Sequence, residues 1–213
     1  MYPFSLWKLL RQTNQPRSLD QPSASACNGV KIVAMQSQRG ISWVQAALLF
    51  SVCGMVSSQL GNLEGWGAYL LPIPFGILAA WLLVGRVGAG FALVVLDALV
   101  WQLAYRAAMA LDEAKLPGGV VFCLAGLIGG LGVTLATALS KRQAPPMSSL
   151  VVGALTGAIC GLPFAWWFGA GNQGPIPEWA LNLLCYGIWQ GAVGLSLWRS
   201  FGESQAQKLP GAA

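Results

Sequence analysis

Asp97 and Trp101 stand one helical turn apart inside an apolar run over 87–109, where a carboxylate has no ordinary place. An acid at the centre of a membrane-spanning helix costs about 2.5–3.5 kcal/mol to insert, which makes it a functional candidate unless something compensates it. The indole of Trp101 lies too deep to anchor at a lipid head group, and its face attracts cations. The pair reads as the seat of a cationic or polar ligand. At helical spacing Gly90, Leu93, Ala104 and Ala108 share this face, and its small residues turn it toward other helices.

A second polar stripe comes from the last apolar run, 179–199, where Asn182, Tyr186 and Gln190 recur every fourth residue beside Trp189. Gln190 and Asp97 fall at matching depth, so a hydrogen bond across the bundle is within reach. Asp97, Trp101, Asn182, Tyr186, Trp189 and Gln190 then outline a polar cavity. The plain alternative is interhelical glue, worth about 0.6 kcal/mol per contact. Arg106 lies half a turn round from Asp97 and cannot pair with it. It snorkels toward Asp112 or Glu113, or meets a ligand carboxylate or phosphate at the cavity mouth. Gln45, Ser57, Ser58 and Gln59 of the first run are further candidates to line it.

These residues need a scaffold. Six apolar runs, 41–60, 66–85, 87–109, 118–139, 149–169 and 179–199, each have about the length that crosses a ~30 Å hydrocarbon core. The expected fold is an all-α integral membrane protein, a bundle of six transmembrane helices. With 55% hydrophobic and 9% charged residues among 213, little is left for a soluble domain. The linking segments are short, so consecutive helices should pack as antiparallel neighbours. Lys8, Arg11, Arg17, Lys31, Arg39, Arg86, Lys141, Arg142, Arg199 and Lys208 fall on one side, with only Arg106 and Lys115 opposite. The positive-inside rule makes the first side cytoplasmic and puts both termini there. The membrane is the cell inner membrane, or an organellar one if the basic, acid-poor N-terminus is a transit peptide. Scattered in ones and twos, these charges orient the chain and form no nucleic-acid patch.

Residues 1–40 read as a mostly disordered cytoplasmic tail with a short interfacial helix over 3–11, a start at Met35 being the alternative. Residues 41–200 form the membrane domain and 201–213 a short cytoplasmic tail. Trp66, Trp166, Trp167 and Trp179 at the outer boundary, with Trp43 and Trp198 at the inner one, read as interfacial belts. Pro72, Pro74 and Pro163 interrupt helices two and five, and the carbonyls they free need protein or water partners. Gly153, Gly157 and Gly161, with Gly187 and Gly191, form faces for close helix packing, and Gly126, Gly129, Gly130 and Gly132 crowd helix four. At a fixed offset Pro117 echoes Pro177 and Ile128 echoes Ile188, so helices four and six are candidates for a repeat.

The chain has no histidine, and its five cysteines include no C-x-x-C pair, so neither a metal site nor a cofactor is expected. Paired acids at mid-depth and a serine beside a base are also missing, and an enzyme is not expected. Two functions remain. One is a small-molecule transport component that binds a polar or cationic solute in an outward-facing cavity and relies on a partner for energy, since no nucleotide-binding P-loop is present. Its outline resembles the substrate-binding subunits of energy-coupling-factor vitamin transporters, in architecture alone: Ala47 and Ser51 form a small-residue face too common to identify a docking site for an energising module. The other is a non-transporting accessory, assembly or immunity protein whose glycine faces pack against a membrane protein partner.

Overall fold

The computed structural model describes residues 41–61, 63, 66–169 and 176–202. Residues 1–40, where a tail with a short interfacial helix is expected, lie outside the described residues, as do Asn62, Glu64, Gly65, residues 170–175 and the chain after 202. Within them the regular structure is helical throughout. Six helices are long and apolar enough to cross a membrane: α1 Trp43–Gly61, α2 Gly67–Val84, α3 Val87–Glu113, α4 Gly118–Ser140, α5 Met147–Gly169 and α6 Glu178–Gly202. Consecutive helices are neighbours and α6 returns to α1, so the bundle is a ring closed in chain order. One end carries Arg86, Lys141, Arg142 and Arg199 and is called the basic end below; Asp112, Glu113, Lys115 and Glu178 occupy the opposite end.

Glycine sets how close the helices come. In α4 and α5, a Cβ on Gly126 would strike the Gly157 carbonyl, one on Gly130 the Gly153 carbonyl, and one on Gly161 the Phe122 carbonyl. The seam between α1 and α6 is built alike: Gly187 sits over Met55 and the Ser51 carbonyl, Gly191 over Ser51 and Ala47, and Gly54 over the Tyr186 carbonyl. In lipid, where apolar surface gains little by leaving its surroundings, this backbone approach supplies dispersion contact that larger side chains would block. All five glycines expected at packing faces are therefore engaged within the chain, as is the small-residue pair Ala47 and Ser51.

The turns follow from local chemistry. α3 and α4 both end with a left-handed residue that is not glycine, Lys115 at φ 60° and Arg142 at φ 55°. At each, the next N–H reaches back over the last turn, Leu116 to the Leu111 carbonyl at 3.2 Å and Gln143 to the Ala138 carbonyl at 2.9 Å. This six-to-one closure satisfies carbonyls that the helix end would leave bare. α2 winds its last turn, Ala80–Val84, as a π-helix and stops at Gly85, whose φ of 65° suits glycine. Arg86 is extended and α3 starts at once.

The proline break in α2 has a specific repair. Pro72 has no N–H for the Ala68 carbonyl, and Gln102 Nε2 of α3 donates to that oxygen instead, at 2.9 Å. Replacing Gln102 with Leu should cost about 1–2 kcal/mol in thermal unfolding, because a part-buried carbonyl is orphaned. In a Pro72→Ala background the same change should cost much less, a coupling that a double-mutant cycle would read.

The tryptophan belts require a correction. Trp43, Trp66, Trp166 and Trp179 are more than half exposed, as an interfacial belt needs, but Trp167 and Trp198 are each only 6% exposed. Position along a helix gives depth and says nothing of direction round the axis. Trp167 turns inward beside Phe164, ring centroids 6.4 Å apart, and Trp198 opens the π-helical turn Trp198–Gly202 and packs over Gly202. At the basic end the Lys141 ammonium donates to the Phe201 carbonyl at 2.8 Å, and Arg199 lies over the Trp43 ring, fastening α4 to α6 and α6 to α1.

Candidate functional site

Two cavities share one wall. The larger, about 420 Å³, lies between α3, α4, α5 and α6 in the half of the bundle away from the basic end. Its lining is mostly apolar and strongly aromatic: Trp101 and Tyr105 from α3, Phe122 from α4, Phe164 from α5, Tyr186 and Trp189 from α6. The rings form a connected series. Phe122 stacks on Phe164 at 6.1 Å, Phe164 meets Tyr186 edge-on at 5.0 Å, and Tyr186 faces Trp101 at 5.9 Å. Trp101 in turn meets Trp189 edge-on at 6.2 Å. Exposed Tyr105, Met109 and Asp112 stand at its rim.

Behind Trp101 and Trp189 lies a much smaller space, about 10 Å³, lined by Asp97, Gln190, Phe75 and Pro72 as well as the two indoles. It holds about one water-sized group. Asp97 is 4% exposed, and among the described residues its Oδ2 has no hydrogen-bond partner. Trp101 Nε1 is likewise buried and unpartnered. Native interiors rarely leave such groups unpaired, so an unused acceptor and an unused donor one helical turn apart mark a site for something further.

Local sequence explains why Asp97 sits there. Gly76 on α2 has no side chain, and a Cβ would come within 3.1 Å of Val94 Cα and 3.3 Å of Asp97 Oδ2. α2 therefore closes over the carboxylate while nothing on α2 neutralises it. The face expected for Asp97 is the buried one, with Gly90, Leu93 and Ala104 beside it.

Other candidates are sorted by the geometry. Gln190 is 1% exposed, but its Oε1 accepts a long hydrogen bond of 3.4 Å from Ser57 Oγ on α1. Gln190 and Asp97 thus line one space without the cross-bundle bond that their matching depths suggested. Asn182 lines neither cavity, and Arg106 is exposed on the flank of α3, outside both, as its half-turn offset from Asp97 requires. Gln45 closes the start of α1: Ser42 N–H donates to Gln45 Oε1 at 2.8 Å and Gln45 N–H to Ser42 Oγ at 3.2 Å, a reciprocal cap. Ser58 donates to the Met55 carbonyl of its own helix, and Gln59 to Ser58. The aromatic walls of the large cavity include Tyr105, Phe122 and Phe164, which sequence reasoning does not single out. Tyr105 lies one turn beyond Trp101 on the same helix, which periodicity could have supplied; for Phe122 and Phe164 no pattern in the chain sets them apart from lipid-facing phenylalanines.

What the arrangement offers is enclosure: aromatic walls, one buried acidic side chain and a rim with a second. Comparison with protein-family models, with curated sequences and with solved structures gives no match in any of the three.

Proposed function

We propose that this protein is a small-molecule transport component that binds its solute in the aromatic cavity and draws energy from a partner. The observation that carries the reading is the cavity itself. A space of about 420 Å³ with aromatic walls and a few polar groups has the size and character of ligand sites, whereas membrane helices that serve only as scaffold close such spaces. By the positive-inside rule the basic end faces the cytoplasm, with both termini, so the cavity belongs to the outer half of a cell inner membrane protein. Any use of ATP is assigned to another chain, because the sequence carries no phosphate-binding loop.

The competing reading, an accessory or assembly protein, relied on glycine faces free to receive a partner. Those faces are occupied by α1, α4, α5 and α6 among themselves. A partner would have to dock on large lipid-facing side chains such as Leu48, Leu99 and Ile159.

Ala108 lines the cavity and gives the test. Ala108→Phe should fill the space, keep or raise the unfolding midpoint, and remove ligand-induced thermal shifts found when vitamins, amines and nucleosides are screened against the parent protein. Shifts of equal size in both proteins, or none in the parent, would count against the cavity as a binding site.

A further inference from the structure

We infer that the solute is an organic cation, a primary ammonium group on an aromatic or apolar body, with Asp97 as its counter-ion. This deepens the reading of the cavity as a solute site and rests on it.

Charge complementarity selects the sign. The two cavities are lined by two acidic side chains, Asp97 inside and Asp112 at the rim, and among the described residues by no lysine or arginine. An anionic solute would find no positive partner there. A neutral solute without a donor would leave Asp97 Oδ2 as unpaired as it is now, and a neutral donor would make only the weaker, uncharged bond.

The walls point the same way. Trp101 and Trp189 line both spaces, so two indoles stand between the large cavity and Asp97, and tryptophan is the strongest cation–π partner among side chains. Tyr186 and Phe164 extend that surface outward and suit a flat or aliphatic body.

Size decides the kind of cation. The inner space of about 10 Å³ takes a group no larger than a water molecule. A primary ammonium fits, and a trimethylammonium does not. The unpaired oxygen also calls for an N–H donor, which a quaternary nitrogen lacks. Trp101 Nε1, likewise unpaired and one helical turn along α3, accommodates one acceptor on the solute body.

Four probes of one shape test this in lipid nanodiscs carrying the full chain, with empty nanodiscs subtracted: phenethylammonium, its N-trimethyl derivative, 3-phenylpropanoate and neutral propylbenzene, each titrated calorimetrically. Phenethylammonium should bind the parent at least about tenfold more tightly than the other three, the difference that one charged hydrogen bond makes. Asp97→Asn should erase that preference, and Ala108→Phe should abolish binding of every probe that the parent binds. Should Asp97→Asn prove unstable, discrimination among probes by the parent alone still decides. Equal binding of phenethylammonium and propylbenzene, both lost in Ala108→Phe, would overturn the amine assignment and leave the cavity standing. Binding of no probe, propylbenzene included, would overturn both. Preference for the trimethyl derivative would show that the cation rests on the aromatic walls and never reaches Asp97.

Discussion

Gly157→Leu should abolish the folded, monodisperse protein. A Cβ on Gly157 already strikes the Gly126 carbonyl and lies 3.0 Å from Gly130 Cα, and both are backbone atoms that cannot swing aside. Leucine adds three more carbons on the same line. The two helices must part, which removes contacts along the whole α4–α5 seam and exposes Thr134, now fully buried and bonded to the Gly130 carbonyl at 2.7 Å. Overpacking a rigid site costs about 1–3 kcal/mol for a modest insertion, and a leucine wedged against backbone exceeds that. Gly157→Ala should already lower the unfolding midpoint. Gly88 is the control, since a Cβ there meets nothing within 4 Å, and Gly88→Ala should leave both midpoint and elution profile unchanged. Size-exclusion chromatography with fluorescence-monitored melting reads all three. A normal Gly157→Leu protein that has lost only a co-purifying membrane partner would instead revive the accessory reading.

How much of this was legible in the chain depends on what a helical period encodes. Six spans follow from length alone, because only about twenty apolar residues cross the hydrocarbon and the linkers leave no room for other elements. Relative direction within one helix is also legible: Asp97 shares its face with Gly90 and Leu93, while Arg106 falls outside both cavities, each as the period dictates. Absolute direction is not. Depth alone assigns Trp167 and Trp198 to the belts, yet they point inward, because the rotation of α5 and α6 is set by where their glycines seat on α4 and α1. The same ignorance hid the partner of Gln190. Its depth matches Asp97, but Gly187 and Gly191 fix α6 against α1, and Ser57 is what lies within reach. Cross-helix pairs such as Phe164 with Tyr186 depend on crossing geometry, which no spacing within one helix records.

Asp97→Asn should leave the fold at least as stable as the parent while removing cation binding, and the opposite signs of these two effects distinguish a binding residue from a structural one. A carboxylate that held the bundle together would have partners, and deleting one member of a buried pair costs about 3–5 kcal/mol. Among the described residues Asp97 has no such partner: Oδ2 is unbonded, and neither cavity brings a lysine or arginine to it. Asparagine has the same shape, so the close approach of Gly76 and Val94 is preserved. The change removes an acid whose presence at that depth costs about 2.5–3.5 kcal/mol against membrane insertion, part of which the buried amide gives back through its own desolvation. A gain of up to about 2 kcal/mol in thermal unfolding is therefore expected, alongside a loss of phenethylammonium affinity of about tenfold or more. Residues that cost stability and are tolerated belong to sites where function requires them. A midpoint that falls by several degrees in Asp97→Asn with probe binding intact would return Asp97 to the packing of α2 against α3.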